Sequence, residues 1–587
     1  MDRKEIVERY DVVVIGGGMA GICAAVSAAR LGCGVALVHD RPVLGGNASS
    51  EIRVSISGAD SRFKNARETG ILEELRLEDR FRNHDTDVNG ETNSIWDMIL
   101  WEWVTREPGL KLYLNAPATH AVMKDPATIQ AIKARQMGTE KEFYLEADLF
   151  IDSSGDGYIA HEAGAESRMG REARDEFDES IAPEVADGLT LGSSLLFESK
   201  DMGRPIKFVP PSWAYKYPTE EDLPFRGHNR ITSGFWWIEY GGELNTIVDN
   251  DEIRDELWKV LYGVWDHIKN HGDHGAENYA LDWVGAIPGK RESRRFMGDH
   301  VLKQSDIESA TLFPDRVAYG GWSIDLHPPK GIYSPGKPAE FNGFPRLYSI
   351  PFRCLYSGNI SNLMMAGRNI STTHVAFGST RVMATCAIQG QAAGTAASIC
   401  KNHNILPRDV HPAHISELQQ QLLKDDCYII DMKNEDEADL AKEASVTASS
   451  SHSHDYAPEN VVNGVARSEE GRTNMWMSAA GEPMPQYIEL DFGKQVEFDT
   501  VYLTFDTNLN KLPHLGPASE CVKDYAMYFH NGSSWVNILT EKGNYQRRRK
   551  HRFQVAHPVV SQKLKVEVQA TNGIDAASIF EVRVYNE

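Results

Sequence analysis

The chain has 587 residues, of which 41% are hydrophobic and 25% are charged. This length is too great for one hydrophobic core and predicts roughly two to four domains, and the composition excludes a largely disordered or fibrous chain. Acidic residues number 84 and basic residues 61, so the formal net charge is -23, which disfavours nucleic acid and anionic membranes as partners.

The cysteines and the N-terminus suggest a compartment. Seven cysteines are scattered along the chain without a Cys-x-x-Cys pair. Paired spacing is typical of disulfide frameworks and zinc sites, so we predict no metal site. The first residues do not follow the pattern of a secretory signal, and no run of about 18 apolar residues occurs. We therefore expect a cytoplasmic chain with no membrane partner.

The first part of the chain carries the strongest motif. A β-branched run at 10–15 predicts a strand buried on both faces, and it leads into G-G-G-M-A-G at 16–21, an Ala-rich segment and a second apolar run. In such a strand–turn–helix, Gly16 permits the tight turn, Gly18 lets the backbone approach a pyrophosphate, and Gly21 lets helix and strand pack closely. The helix N–H groups then face the phosphates. We predict a dinucleotide-binding fold.

The end of the second predicted strand, at 34–38, bears on the choice of dinucleotide. His39 and Asp40 stand where an acid usually binds the ribose hydroxyls. Asp40 can serve after a shift of one residue, and His39 could donate a hydrogen bond instead. An acid here disfavours a 2′-phosphate, so NADP is the least favoured dinucleotide.

A second glycine pair follows, within P-V-L-G-G-N-A-S-S-E-I-R at 42–53. NAD does not need this segment, whereas it suits a cofactor that lies extended along the protein. Here the chain resembles the FAD-dependent oxidoreductases of the glutathione-reductase-like superfamily, closest to the group that carries R-P-x-L-G-G-N-x-S-S-E-I-R. The resemblance implies FAD as the cofactor. The cofactor-binding residues that it implies in this region are Asp40, Arg41, Gly45, Gly46, Asn47, Ser50 and Arg53.

Two later segments agree with the resemblance. A predicted strand at 147–151 precedes S-S-G-D-G at 153–157, which is similar to the family's second glycine motif, often A-T-G-D-G. Farther on, a strand, a turn and a helix rich in small residues follow residue 362. The family places this helix against the flavin, where helix N–H groups and an arginine stabilise negative charge. The further cofactor-binding residues that the resemblance implies are Ser154, Gly155, Asp156, Gly367, Arg368, Arg381 and Val382.

The region between these segments is less regular. We predict strands at 190–198 and 231–240. Its tryptophans, such as Trp236 and Trp237, suit either a core or a platform for sugar rings. The segment G-K-R-E-S-R-R at 289–295 resembles one in the same group, and we interpret it as a salt-bridged structural element. The alternative is that Arg294 or Arg295 of this segment faces the flavin pocket.

Two histidines are the candidate catalytic residues. Oxidation of a C–OH or C–N group needs a base that removes a proton while hydride leaves, and histidine suits that task. His374 is the first candidate because we predict a loop there, between the last strand and the last helix of the cofactor fold, and His327 is the second. The lack of a cysteine pair argues against a pyridine-nucleotide disulfide reductase.

From about residue 443 the sequence alternates between polar and apolar residues, in runs such as 487–493 and 500–505, which predicts strands of a β-sandwich. Markers at 448–450, 458–464, 475–478 and 486–493 resemble the discoidin-like C-type domains of coagulation factors five and eight. Such jelly-roll modules often bind carbohydrates and also serve in packing or dimerisation, and both roles stay open. We interpret the basic run at 547–550 as a solvated hairpin.

The predicted fold is α/β: a Rossmann-like FAD-binding domain (8–180 and 351–435) with an interleaved α+β substrate domain (181–350), followed by an all-β jelly-roll sandwich (443–587). We expect an FAD-dependent oxidoreductase that transfers hydride between the flavin and a polar small molecule such as a sugar or glycoside. One alternative is a carbohydrate-binding or scaffold protein with a structural flavin. Another is transient use of the flavin in elimination or glycoside cleavage through a keto intermediate. A homo-oligomer is compatible with the sequence.

Overall fold

The computed structural model describes residues 5–84, 92–512, 515–553 and 558–587. Its helices, in chain order, are α1 (Met19–Arg30), α2 (Ile71–Arg82), α3 (Ser94–Thr105), α4 (Tyr158–Glu162), α5 (Arg174–Phe177), α6 (Asn250–Asn270), α7 (Gln304–Glu308), α8 (His374–Thr380), α9 (Met383–His403), α10 (Pro407–Ala413) and α11 (Ile415–Lys424). Among the described helices, none combines the length and the apolar character that crossing a bilayer requires.

The strands of the first two-thirds of the chain are β1 (Glu5–Ile15), β2 (Val35–Val38), β3 (Leu110–Tyr113), β4 (Ala118–Asp125), β5 (Thr128–Arg135), β6 (Glu142–Asp152), β7 (Ser167–Arg168), β8 (Ser193–Ser194), β9 (Phe197–Asp201), β10 (Glu239–Tyr240), β11 (Tyr279–Val284), β12 (Gly289–Lys290), β13 (Arg295–Phe296), β14 (Arg316–Gly320), β15 (Ile324–Leu326), β16 (Glu340–Asn342), β17 (Tyr348–Pro351) and β18 (Leu363–Met365). The remaining strands are β19 (Ser445–Ala448), β20 (Trp476–Met477), β21 (Gln486–Phe498), β22 (Thr500–Phe505), β23 (Val522–His530), β24 (Trp535–Glu541), β25 (Arg548–Arg552), β26 (Val559–Thr571) and β27 (Ser578–Tyr585).

The chain divides into two compact units. The first consists of Met1–Gly58, Glu91–Asp315 and Gly320–Ala413, and the second of Ala59–Gly90, Arg316–Tyr319 and His414–Glu587. The predicted α/β fold followed by an all-β sandwich is confirmed.

A mainly parallel sheet forms the centre of the first unit. Its strand order is β3-β2-β1-β6-β5-β4, and β18 also pairs with β6. The strands β1, β2, β3, β6 and β18 run parallel, whereas β4 and β5 join as an antiparallel addition. Val12, Val13 and Val14 are completely buried, as expected of a strand that is covered on both faces. The first strand starts at Glu5 rather than at the predicted residue 10.

Small residues bring two helices close together beside this sheet. A Cβ atom on Gly390 of α9 would lie 2.0 Å from the carbonyl oxygen of Ala20, and one on Gly394 would lie 2.1 Å from that of Ala24. Neither distance is possible for a real side chain, so α9 can pack on α1 only with glycine at both positions. The small residues of the last helix therefore serve close helix packing.

Few of the predicted strands form in the interleaved region. The stretch predicted as a strand at 231–240 contains only the two-residue β10, and that at 190–198 contains β8 and the first residues of β9. Phe235 stacks on Trp237 with ring centroids 5.0 Å apart, and both rings belong to a core built against α6. The strand prediction here is largely wrong, because burial in an irregular segment gives the same aromatic pattern as a strand.

The second unit contains a β-sandwich. One sheet has the strand order β19-β21-β26-β23-β24 and the other β20-β27-β22-β25. Between them lie large apolar side chains such as Trp476, Phe498 and Phe505. The strand predicted at 500–505 coincides with β22. Every residue of β22 is buried, whereas burial alternates along the first half of β21. Alternation of that kind is visible in the sequence and makes such strands recognisable.

The second unit also holds α2, whose residues fall within the range 8–180 that we predicted for the first part of the FAD-binding domain. The buried Arg67 guanidinium donates two hydrogen bonds to Glu73, at 2.9 and 2.7 Å, and one to the carbonyl oxygen of Thr507 at 3.1 Å. Phe81 stacks on Tyr545 with ring centroids 4.0 Å apart. Isolated ion pairs and stacks have no periodic signature, so the sequence pattern did not indicate this grouping.

The basic run at 547–550 is not a solvated hairpin, and that prediction is wrong. Residues from Arg548 onward form β25, which pairs with β22. Arg547 is only 1% exposed; it donates to Asp426 at 2.9 Å and to the carbonyl oxygen of Phe505 at 2.8 Å. A long arginine stem can be buried when its head is paired in this way.

A buried histidine of the sandwich predicts a pH-dependent stability. Nε2 of His551 and the Tyr525 hydroxyl share a 2.6 Å hydrogen bond, and burial, with a smaller effect of Arg549, lowers the pKa of His551 from 6.5 to about 4. A histidine whose pKa falls on folding contributes stability that is complete above the unfolded pKa and is lost as the pH falls towards the folded pKa. We expect about 3 kcal/mol of stability to be lost between pH 6.5 and 4 through this group.

Calorimetric unfolding of the full chain at several pH values tests this expectation. His551→Gln should unfold with a clearly weaker pH dependence over that range than the wild type. Tyr525→Phe is the matched control, because it removes the hydrogen bond and keeps the buried imidazole. Equal pH dependence in His551→Gln and the wild type would contradict the assignment.

Candidate functional site

The three glycines of the first turn differ in their surroundings. Gly16 has φ +98°, and a Cβ there would lie 2.5 Å from Cα of Ser154; a Cβ on Gly21 would lie 1.8 Å from the carbonyl oxygen of Gly16. Gly18 has an ordinary φ of -74°, and a Cβ there would meet only Cα of Gly46, at 3.8 Å. Packing among the described residues therefore explains why positions 16 and 21 need glycine. At position 18 the same residues leave space for a side chain.

The second glycine pair lies directly beside this turn. The Gly45 N–H donates to the carbonyl oxygen of Gly17 at 2.8 Å, and a Cβ on Gly46 would lie 3.0 Å from Cα of Gly18. Among the described residues, no side chain caps the N-terminus of α1. The two loops, residues 16–18 and 45–46, thus form a groove of bare backbone at that helix end, which we call the glycine cradle.

The structure distinguishes between His39 and Asp40. The Gly17 N–H donates to Nδ1 of the buried His39 at 3.0 Å, and Nε2 of His39 donates to the carbonyl oxygen of Val43 at 3.0 Å. Both ring nitrogens are therefore engaged within the protein. One carboxylate oxygen of Asp40 lies 3.1 Å from Nδ1 of His39, but the Asp40 side chain is 64% exposed and so remains accessible to a ribose hydroxyl.

Ser50 and Arg53 are engaged with other residues of the protein. The Ser50 hydroxyl and N–H both donate to Asp97. Arg53 pairs with Glu198, and its guanidinium lies 4.4 Å from the ring centre of Trp283. The structure thus gives both residues a part in holding the segment that follows the cradle.

Arg41 and Asn47 flank the cradle. A Cβ on Gly46 would lie 3.9 Å from a terminal nitrogen of Arg41, and this guanidinium pairs with Glu51 at 3.3 Å. The Asn47 side-chain amide donates to the carbonyl oxygen of Lys290 at 3.0 Å. A cation therefore lies at the edge of the bare backbone.

The second glycine motif centres on an ion-pair network. Asp156 pairs with Lys290 at 2.7 Å and with Arg368 at 2.6 Å. Burial alone would raise the pKa of Asp156, but the two cations hold it well below its ordinary value. Gly155 has φ +82°, and a Cβ there would lie 2.8 Å from the Arg368 guanidinium. The Ser154 hydroxyl donates to Asp152 at 2.7 Å.

The third glycine segment leads into α9. Gly367 has φ +111°, and its N–H donates to Oε1 of Gln389 at 3.2 Å. Val382 directly precedes the helix, and its carbonyl oxygen accepts from the Cys386 N–H at 3.0 Å. In the part of the chain that the structure describes, no side chain caps this helix either.

His374 belongs to a buried charged network. Its Nδ1 lies 3.0 Å from a carboxylate oxygen of Glu292 and therefore donates to it, and its backbone N–H donates to Glu172 at 2.8 Å. Arg295 pairs with both carboxylates. Burial would raise the pKa of Glu292, but His374 and Arg295 hold it below its ordinary value. Nε2 of His374 has no hydrogen-bond partner among the described residues, so its lone pair can accept a proton.

His327 has partners at both ring nitrogens. Nδ1 lies 2.5 Å from Glu239, while Nε2 lies 3.2 Å from Asp325 and 3.3 Å from a terminal nitrogen of Arg381. Arg381 also donates to Asp325 at 2.7 Å. Burial would raise the pKa of Asp325, but Arg381 and His327 lower it to about 2. Both nitrogens being occupied, His327 is less suited than His374 to take a proton from a substrate.

Comparison with known proteins decides the family. The family model described as FAD dependent oxidoreductase matches residues 11–422. The chain belongs to this FAD-dependent oxidoreductase family. A second model, described as F5/8 type C domain, matches residues 445–582. The comparison with curated proteins found no match for this chain.

Two solved carbohydrate-binding modules are each similar to a quarter of the oxidoreductase chain. A family 32 carbohydrate-binding module from C. perfringens NanJ, in complex with galactose, is 15% identical over 25% of this chain and 97% of its own, with a TM-score of 0.20. Chitosan-binding module 1 of a chitosanase/glucanase from Paenibacillus sp. IK-5 is 20% identical over 25% and 98%, with a TM-score of 0.20.

His374 of the oxidoreductase lies in a helix, whereas we predicted a loop. It is the first residue of α8, where the Thr373 hydroxyl accepts a hydrogen bond from the Ala376 N–H at 3.1 Å. A threonine before a helix is a typical N-cap, a signal that was present in the sequence. The G-K-R-E-S-R-R segment is salt-bridged, as predicted, through Lys290, Arg291 and Arg295.

Sequence reasoning missed the carboxylates that orient the histidines. Glu172, Glu239 and Glu292 are each at most 5% exposed. None of them stands in a recognisable spacing relative to its histidine. Only the unusual burial of an acid would have identified them, and that property becomes visible in the fold.

Proposed function

We propose that this member of the family binds FAD in the glycine cradle. The observation that carries the proposal is Gly18: nothing in the described protein excludes a side chain there, yet the position is bare backbone beside an uncapped helix. A pyrophosphate at a helix N-terminus needs such backbone access. The donor set fits as well, since Asp40 remains accessible for a ribose and Arg41 lies at the cradle's edge.

FAD, when bound, supplies a two-electron acceptor for hydride from a substrate carbon. We assign the matching proton to Nε2 of His374. Nδ1–H of His374 donates a hydrogen bond to Glu292, and this bond fixes the tautomer that has its lone pair on Nε2. After His374 takes a proton, the Glu292 carboxylate stabilises the imidazolium. Arg368 and Lys290, paired with Asp156, hold the second glycine motif in position. We propose Gly367, Val382 and the start of α9 as the flavin-facing backbone.

We further propose that the substrate is polar and carbohydrate-like. A surface cavity of about 700 Å³ is lined by Phe225, Trp236 and Phe341, together with Lys337, Glu340 and Asn342. The Trp236 ring is 42% exposed, and its edge meets the His327 ring with centroids 5.3 Å apart. Exposed flat rings beside polar groups suit the C–H faces and hydroxyls of a sugar. Trp237, by contrast, is buried in the core.

The purified protein tests this function directly. We expect flavin absorbance that is bleached anaerobically by a member of a panel of monosaccharides and glycosides, without added reductant. Oxygen consumption during turnover would then indicate an oxidase, and reduction of an added dye without oxygen consumption would indicate a dehydrogenase. A colourless protein that cannot be reconstituted with FAD would remove the proposal and leave the scaffold alternative. Bleaching with no net oxidation of the sugar would favour transient use of the flavin.

Replacement of Trp236 tests the cavity as the sugar site. We expect Trp236→Ala to raise KM for the bleaching sugar by roughly 3- to 10-fold, since aromatic contacts contribute about 0.5–1.5 kcal/mol, and to leave the melting temperature nearly unchanged. Steady-state kinetics measure the effect. Trp213→Ala is the matched control, because its ring is 50% exposed and lies outside the lining of the cavity. An unchanged KM in Trp236→Ala would contradict this substrate site.

A further inference from the structure

Three histidines and a glutamate converge at the end of α6, in the interleaved region. His267 lies in the last turn of α6, His274 follows the helix, His228 comes from the irregular segment before it, and Glu220 begins a short 3-10 helix in that segment. One ligand atom from each of the four lies within 4.8 Å of all the others. None of them belongs to the cradle or to the His374 network.

The distances fit a metal ion at the centre. Oxygens of Glu220 lie 3.3 Å from Nε2 of His228 and 3.3 Å from Nε2 of His267. Nε2 of His274 lies 3.5 Å from Glu220 and also 3.3 Å from the carbonyl oxygen of His271, a contact that a bound ion would replace. A tetrahedral site with metal–ligand bonds of roughly 2.0–2.1 Å has edges of about 3.3–3.4 Å. The three imidazole centres are also nearly equidistant, at 5.0, 4.9 and 4.9 Å.

The fold fixes the two most buried histidines in the form that binds metals. Nδ1 of His228 donates to the carbonyl oxygen of Arg226 at 2.7 Å, and Nδ1 of His267 donates to that of Tyr217 at 2.7 Å. Carbonyl oxygens only accept, so each ring carries its proton on Nδ1 and directs the Nε2 lone pair towards the shared centre. Metal-binding histidines are oriented by this kind of outer hydrogen bond.

The two inner rings are closed off from solvent. His228 and His267 are 5% and 1% exposed, so the Nε2 atoms that they direct at the shared centre need a partner inside the protein. One cation bound by three neutral imidazoles and one carboxylate satisfies all four groups.

We propose that Glu220, His228, His267 and His274 bind one divalent transition-metal ion of the zinc class. Nitrogen-rich ligand sets of this kind favour zinc and its neighbours over magnesium or calcium. Four protein ligands make the site structural, since a catalytic zinc keeps one position open. The ion joins the irregular segment around residues 217–228 to the end of α6. It therefore cross-links a part of the interleaved region in which few of the described residues form paired strands.

Metal titration of the purified full chain tests the proposal. After treatment with a chelator, we expect the protein to bind one equivalent of Co²⁺, with the visible absorption of four-coordinate cobalt in the difference spectrum, and Zn²⁺ to displace it. Zn²⁺ should also raise the melting temperature. The variant His228→Gln/His267→Gln should lose on the order of 100-fold or more in Co²⁺ affinity. The matched control is His271→Gln, a half-exposed neighbour outside the cluster, which should bind Co²⁺ like the wild type.

Absence of stoichiometric Co²⁺ binding in the wild type would overturn the proposal, as would equal affinity in the double variant. Should the double variant not fold, Glu220→Gln decides, because the Glu220 side chain is 67% exposed and its loss leaves the core intact. We expect roughly a tenfold weaker affinity there, and an unchanged affinity would refute the four-residue site. These readouts measure metal binding alone, so they do not depend on flavin.

Discussion

Gly18→Val should purify without FAD and with an intact fold. A valine at this position would fill the space into which we place the pyrophosphate, while meeting no described atom closer than 3.8 Å from its Cβ. The φ of -74° is ordinary for any residue, so the backbone is not strained. We expect FAD affinity to fall by at least about 1,000-fold, because a clash at the phosphates removes the helix N-terminal contacts as well.

Flavin absorbance after reconstitution, together with calorimetric unfolding of the apoprotein, measures the effect. Gly188→Val is the matched control: a Cβ there would have no atom within 4 Å, its φ is not strained, and it lies outside the cradle. It should retain FAD. Gly21→Ala gives the opposite pattern, since its Cβ would clash with the carbonyl oxygen of Gly16 and destabilise the fold itself. A yellow Gly18→Val protein would show that the cofactor lies elsewhere.

His374→Ala should keep bound flavin and lose most of its reduction by the sugar. General-base catalysis contributes about 10²- to 10⁴-fold, and the imidazole held by Glu292 is the group in the described site with a free nitrogen. We expect the single-turnover rate of flavin bleaching to fall by that factor. Reduction by dithionite should be unchanged, since it needs no base.

Three variants make this result specific. Glu292→Gln should lower the rate less than His374→Ala and shift its pH profile, because the imidazole loses its anionic partner. His300→Ala is the control, a partly buried histidine that pairs with Asp306 outside this network. An unchanged rate in His374→Ala would exclude it as the base, and a large loss in His327→Ala alone would transfer the role to His327.

The parts of the molecule that could be predicted are those built from consecutive residues. The turn at Gly16, the close packing at Gly21 and the sandwich strand β21 depend on local dihedral angles and on alternation along one segment. Both signals are present in the sequence itself, and they led to the family and to the cradle.

The rest depends on partners that are distant along the chain. Glu292 and Glu172 stand 82 and 202 positions from His374, and no spacing rule connects them. The metal-type cluster spans Glu220 to His274 and has no motif, which is why the sequence predicted no metal. Likewise, α2 packs with the second unit through single contacts, and these leave no periodic trace.

The position of β18 has a consequence for how the protein matures. This strand pairs with β6, yet residues 153–362 are synthesised between the two. A growing chain can assemble β1, β2, β3 and β6 early, whereas β18, α8 and α9 arrive only after the whole interleaved region has left the ribosome. If the start of α9 faces the flavin as we propose, cofactor capture is a late event in biosynthesis, and we expect chains that stop before residue 403 to be colourless.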